Sequence, residues 1–174
     1  MTTYEIRQFG DPVLKQRSKD VENVDGNFAH TVDAMYETMY EAEGGGLAAP
    51  QVGIGRRFFV FKTEDGPQVA INPEVVESSG EEEWTEGCLS VPGIGFEIVR
   101  PALVTLRATD LDGNEILIEA DDYLARMFQH EIDHLDGILA IDRLDPDERK
   151  KALKALRDRQ MDLAVDGAPA HRRG

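Results

Sequence analysis

The sequence predicts an α+β domain: mostly antiparallel sheet packed around a central helix that carries paired histidines, with a further helix at the C-terminus. Three observations carry this expectation. Strand and helix patterns are mixed along the chain, without the regular βαβ alternation of a parallel sheet. Residues 102–120, ALVTLRATDLDGNEILIEA, alternate apolar and polar on both sides of an Asp112-Gly113 turn, as an antiparallel hairpin does. A helical pattern follows directly and contains QHEIDHLDG, Gln129 to Gly137.

Taken in order, the first strong pattern is a helix over 27–43. Phe28, Val32, Met35, Tyr36, Met39 and Tyr40 form one apolar stripe, and Gly44 can end it. After GGGLAAPQVGIG comes FFVF, Phe58 to Phe61, a short buried strand. QVAINPEVV, Gln68 to Val76, reads as a strand interrupted by Pro73, hence an edge or a bend. In the hairpin, Val104, Leu106 and Ala108 point one way, and Ile116 and Ile118 alternate on the return. Asp121 or Asp122 then caps a helix to about Leu135, with Gly137 just beyond. Asp145-Pro146 opens a last helix, running to about Val165. Residues 1–165 are expected to form one domain and 166–174 a flexible tail.

The chain of 174 residues is long enough to bury a core. No apolar run approaches the ~20 residues that span a bilayer. The N-terminus has Glu5, Arg7 and Asp11 where a signal peptide needs an apolar stretch. One cysteine, Cys88, cannot form an internal disulfide. These features place the protein in the cytoplasm, away from membranes. A net charge of −15 argues against nucleic-acid binding by the body of the protein, and no specific DNA binding is expected. The last residues are different. Arg149, Lys150, Lys151, Lys154, Arg157, Arg159, Arg172 and Arg173 face only Asp158, Asp162 and Asp166. They make either a solvated, ion-paired helix or a basic element that docks on ribosomal RNA.

On a helix, residues i and i+4 lie one turn apart on the same face, so His130 and His134 can offer two nitrogens to one metal ion. Glu131 is turned about 100° away. Its carboxylate can reach a water on the metal without ligating it, the HExxH arrangement for a general base. A chance pair of surface histidines is the alternative, and the chain has only four histidines to spend. A catalytic site needs a third ligand. Downstream there is only His171, in the expected tail. Upstream stands Cys88 in TEGCLSVPG, where Gly87 and Pro92-Gly93 suggest a turn-rich strand end. A lone cysteine is more often a small buried hydrophobe; as a thiolate it would complete a His2Cys site with one open position.

Three separated segments, GGGLAAPQ (Gly44 to Gln51), EGCLS (Glu86 to Ser90) and QHEIDHLDG, resemble peptide deformylase in content, order and separation. GDPVL at Gly10 to Leu14 is similar too, so the resemblance covers nearly the whole chain. It implies that Cys88, His130 and His134 hold a divalent metal, with Fe2+ as the physiological ion and Zn2+, Ni2+ or Co2+ able to substitute. It implies that Glu131 is the acid/base, that Gln51 and the Leu89 N–H stabilise the oxyanion, and that Gly45 and Gly46 pair with the substrate backbone. The substrate would be N-formylmethionyl peptides and the products formate and a free amino terminus. A monomer is the family default. The family often carries a small aliphatic residue at position 45; glycine there is expected to loosen the pocket wall. Met127, one turn before His130, could line an apolar side-chain pocket or be ordinary core. Asp133 could orient a ligand or pair with an arginine. Two readings compete with the resemblance: a zinc peptidase of the HExxH kind, which would lack the cysteine ligand, and a non-catalytic metal-binding module.

Overall fold

The computed structural model describes residues 2–166. A five-stranded antiparallel sheet has the order β1 (Gly46–Ala48), β2 (Phe58–Thr63), β3 (Gly66–Ser79), β6 (Leu103–Thr109), β7 (Glu115–Ala120). A separate two-stranded sheet is built from β4 (Glu82–Cys88) and β5 (Val91–Arg100). Helices α1 (Gly26–Glu41), α2 (Asp122–Leu135) and α3 (Pro146–Asp166) complete the α+β fold.

The run FFVF sends successive side chains to opposite faces of the sheet. Phe59 and Phe61 pack against Phe128 and Leu135 of α2, with Leu106 beside them. Phe58 and Val60 pack on the other face with Val32, Met35 and Met39 of α1. The larger sheet is thus sandwiched between α1 and α2, and α2 is the central helix of the expectation. Each such side chain, buried, is worth about 1.5–3 kcal/mol. A third cluster joins Phe96 and Ile98 of β5 to Leu14, Ile141 and Leu156, and so ties the small sheet to α3.

Several local expectations need correction. Tyr40 is not core: it is 45% exposed, with Lys62 Nζ 4.5 Å above its ring. The left-handed residue ending α1 is Glu43 (φ 55°), not Gly44. The Glu43 N–H donates to Tyr40 O at 3.1 Å and the Gly44 N–H to Met39 O at 3.0 Å, a Schellman ending. Strand β3 is not an edge; it lies between β2 and β6. Pro73 is tolerated because the register with β6 shifts between Ile71 and Glu74, where Asn72 turns left-handed (φ 49°). Strands β4 and β5 had no clear sequence signal: EEWTEGC is charged, and VPGIGFEIVR carries proline and glycines. Their turn is at Leu89–Ser90, with Cys88 paired to Val91, so Pro92-Gly93 lies within β5. The expected tail, with His171, Arg172 and Arg173, lies outside the described residues apart from Asp166.

Candidate metal centre and substrate cleft

Helix α2 delivers His130 and His134, and the end of β4 delivers Cys88. One ligand atom from each lies within 4.8 Å of the others. Cys88 Sγ is 3.5 Å from His134 Nε2. Bonds of about 2.3 Å to sulfur and 2.0–2.1 Å to nitrogen, set tetrahedrally, give an edge of roughly 3.6 Å. The Cys88–His134 spacing therefore matches one edge of such a site, and the third donor lies close enough to join it. One thiolate and two imidazoles suit zinc or iron, nickel and cobalt in their divalent states, and leave a position open.

The ligands are prepared by their surroundings. Glu86 Oε1 lies 2.9 Å from His130 Nδ1. Burial opposes ionisation of Glu86, but its bonds to Arg100, His130 and Arg126 outweigh this and hold it well below the usual carboxylate range. An ionised carboxylate only accepts, so His130 Nδ1 carries the proton and Nε2 is left for the metal. Burial, with His130 and Arg100 nearby, keeps His134 neutral, as a ligand must be. His134 Nδ1 makes no hydrogen bond, so packing and the Nε2 contact with Cys88 orient that ring. His130 moves the other way, to about 10: burial disfavours its charge, but the bonds to Cys88 and Glu86 prevail. A bound cation would compete with that proton.

Glu131 is buried, and its Oε2 has no partner. Burial pushes its carboxyl up to about 7, suited to taking and returning a proton near neutrality. Its Oε1 abuts Gly46, where a Cβ would meet it at 2.8 Å and Met127 Sδ at 2.9 Å. Gly46 is glycine because the Glu131 carboxylate and the strand touch there.

Gln51 sits in the short 3-10 turn Ala49–Val52 after β1. Its Oε1 accepts from the Ala48 N–H at 2.9 Å. That bond fixes the amide, because only the oxygen can accept. Nε2 therefore points toward Ser90 Oγ (3.2 Å) and Cys88 Sγ (3.9 Å). A neutral donor is held beside the metal ligand. Leu89 is the next residue after Cys88, at the hairpin turn.

Gln51, Glu86, Cys88, His130 and Glu131 open on a cavity of about 590 Å³, and His134 does not line it. Gly45, Gly46, Leu89 and Met127 line it, as do Trp84 and Tyr123, which sequence reasoning did not single out. Met127 does both things considered for it: it lines the cleft and packs in the α2 core. Gly45 does not simply widen the cleft, because the Tyr123 phenol stands over it. A larger open groove of about 860 Å³ lies at the ends of β3, β6 and β7, but it contains no histidine or cysteine.

The ionic scaffold beneath the site was also missed. Arg100 makes two bonds to Glu86 (2.6 and 2.9 Å) and one to Asp133 (2.8 Å). Arg126 bonds Glu86 at 2.7 Å and the Ile98 carbonyl at 2.8 Å. Arg143 forks onto Asp133 from outside. Asp133 therefore pairs with arginines and does not bind a ligand histidine. Glu86 had been read only as part of EGCLS; a buried charge can be inferred only once its partners are known to be near.

Comparison with known proteins agrees with this geometry. The polypeptide deformylase family model matches residues 3–150. A peptide deformylase of Thermotoga neapolitana is 49% identical over 162 residues, 92% of this chain and 96% of that protein. The crystal structure of a Legionella pneumophila peptide deformylase superposes with a TM-score of 0.89 at 38% identity, covering 94% of this chain and 98% of that one. The Thermotoga maritima enzyme, also a crystal structure, gives 0.81 at 48% identity over 84% of this chain and all of that one. A Synechococcus elongatus peptide deformylase, solved in complex with actinonin, gives 0.85 at 39% identity over 90% and 87%.

Proposed function

The chain belongs to the peptide deformylase family, metal-dependent hydrolases that remove N-formyl groups, and from that premise we propose how its own residues divide the work. The observation that carries the reading is the meeting of Cys88, His130 and His134 beside a buried, half-unpartnered Glu131.

A divalent ion at those three donors supplies a Lewis acid and makes water acidic near neutral pH. Glu131 takes the proton from the attacking water and returns it to the leaving amine. Gln51 Nε2 and the Leu89 N–H donate to the oxygen that gains charge as the formyl carbon becomes tetrahedral. The formylmethionyl peptide lies along the free edge of β1, pairing with the backbone at Gly45 and Gly46 as an added strand. That edge is available because β1 is outermost and has only β2 beside it. Met127 forms part of the pocket for the methionine side chain. Formate and a free amino-terminal methionine leave.

The test is formate release from formyl-Met-Ala-Ser. Glu131→Ala should abolish it while the protein keeps its metal. Loss of metal together with activity would leave the assignment of the base unsupported.

For the ion we propose Fe2+, supported by the family resemblance and a donor set that accepts it. Protein purified without oxygen should contain iron and lose activity in air; stability in air would argue for another metal. No helix among the described residues is long and apolar enough to cross a membrane. We place the protein in the cytoplasm as a monomer, with residues 1–165 as one catalytic domain. We also assign the basic helix α3 to ribosome docking. Lys150, Lys151, Lys154, Arg157 and Arg159 are exposed or nearly so, and only Leu156 of that helix is buried. Truncation after Arg143 should reduce co-sedimentation with ribosomes; unchanged co-sedimentation would make the basic stretch a solvated face.

A further inference from the structure

Strand β7 closes the large sheet at the side opposite β1, with only β6 beside it. At every second residue of Glu115–Ala120 the backbone N–H and C=O therefore point away from the sheet. Side chains do not cover this edge. Leu117 is 62% exposed, and Ile116 and Ile118, on the α2 side, are only partly buried. A free edge with an apolar centre is a template for another strand.

The charges along this edge have one sign. Asp110, Asp112, Glu115, Glu119, Asp121 and Asp122 are the only charged residues from 110 to 122. Arg107, opposite Leu117 on β6, is already paired with Glu74 at 2.6 Å. Glu115, Leu117 and Glu119 share the face of the sheet away from α2. On that face Glu119 stands opposite Thr105, and Thr105 opposite Glu77. These three residues line the open groove at the ends of β3, β6 and β7, with Leu103 and Asp121, and no basic side chain lines it. Glu119 thus belongs to both groove and edge. The groove shares no lining residue with the metal-bearing cleft.

A second copy of this chain is a poor occupant. The run from Glu115 to Glu119, EILIE, reads the same in both directions. Antiparallel pairing of two β7 strands about Leu117 sets Glu115 of each against Glu119 of the other, a destabilising match. The net charge of −15 adds to the repulsion. A strand with an apolar residue opposite Leu117, and Lys or Arg two positions to either side, reverses both pairings. Its cation facing Glu119 also reaches the mouth of a groove that presents Glu77 and Asp121.

We propose that the free edge of β7 is a docking surface for an extended basic segment of another protein, added as a sixth antiparallel strand with the pattern basic-x-apolar-x-basic. The proposal stands apart from the deformylase reading of the cleft.

The probe is the peptide acetyl-Thr-Lys-Thr-Val-Thr-Lys-Thr amide, compared with one carrying glutamate at both lysine positions. Titrated into the full chain, the lysine peptide should shift the amide NMR signals of β7 and leave those of β1 in place. Every second amide of β7 should gain protection from exchange as main-chain bonds form. The lysine peptide should bind about tenfold more tightly than the glutamate peptide. Glu115→Lys combined with Glu119→Lys should invert that preference. Both positions are exposed, and a thermal melt checks the fold of the double variant. Should that variant not fold, the two peptides on the wild type still decide. Equal binding of the two peptides, shifts that map elsewhere, or shifts without the alternate protection overturn the proposal. So does dimerisation of the wild type in sedimentation with the same protection pattern, which would give the edge to a second copy.

Discussion

Glu86 on β4 and His130 on α2 are joined by a 2.9 Å bond between Oε1 and Nδ1, and the same carboxylate is gripped by Arg100 and Arg126. One buried anion thus orients a metal ligand and pairs with two buried cations, one of which it shares with Asp133. Glu86→Gln keeps the shape and removes the charge. Metal affinity should fall about 10–100-fold, the usual effect of losing such an outer partner. Stability should fall by about 3–5 kcal/mol, because Arg126 is left without a carboxylate partner and Arg100 keeps only Asp133. Competition with a chelator measures the first effect and urea unfolding the second. Unchanged metal affinity would mean that the hydrogen bond does not orient the ligand.

Gly46→Ala places a methyl against Glu131 Oε1 and Met127 Sδ, at 2.8 and 2.9 Å. Both side chains are buried and have little room to retreat. The variant should lose about 1–3 kcal/mol of stability. It should also lose activity out of proportion to that, because the general base moves. A thermal melt beside a formate assay separates the two. Near-normal turnover would show that Glu131 tolerates displacement.

Gln51→Leu preserves apolar bulk and deletes the amide donor. The expected loss is about 10²–10³ in kcat, with metal retained. The Ala48 N–H also loses its acceptor, so unfolding should be measured on the same protein. A loss seen only in KM would assign Gln51 to binding the ground state.

Asp142 accepts from Lys15 and from the Leu139 N–H and lies 3.7 Å from Arg149. Burial pushes its pKa up, but the Lys15 bond and its companions outweigh this and lower it from 3.8. With the folded pKa depressed, the unfolded chain protonates first. Its contribution is therefore full above the ordinary aspartate value and is lost as pH falls through the folded value. Asp142→Asn should destabilise by a few tenths to about 1 kcal/mol at pH 7, and its stability should decline less on acidification. Parallel acid slopes for wild type and variant would refute the assignment.

The two histidine ligands were legible in sequence because their spacing is local, whereas Cys88 joined them through the family resemblance. The i, i+4 histidines, the adjacent glutamate and Asp145-Pro146 each act through helix geometry within a few residues. The short apolar run of β2 and the alternation of the β6–β7 hairpin were legible for the same reason. What failed was nonlocal. Glu86, Arg100 and Arg126 carry no sequence signal of their own; the fold buries them together. Strands β4 and β5 hide behind glutamates, proline and glycine, since each covers the core with only one face. Tyr123 gave no signal because its significance depends on the absence of a side chain at position 45.

The sulfur and the imidazoles belong to different packing units: Cys88 to the small hairpin sheet seated with α3, the histidines to the helix beneath the large sheet. An ion bridging them would fasten a loop of about 40 residues, removing chain entropy much as a covalent cross-link does. Stripping the ion would then leave the hairpin anchored by its apolar seat and by the bonds of Glu86 and Arg100 to Arg126, His130 and Asp133 of α2. Its amides should exchange with deuterium sooner than those of β2 and β3.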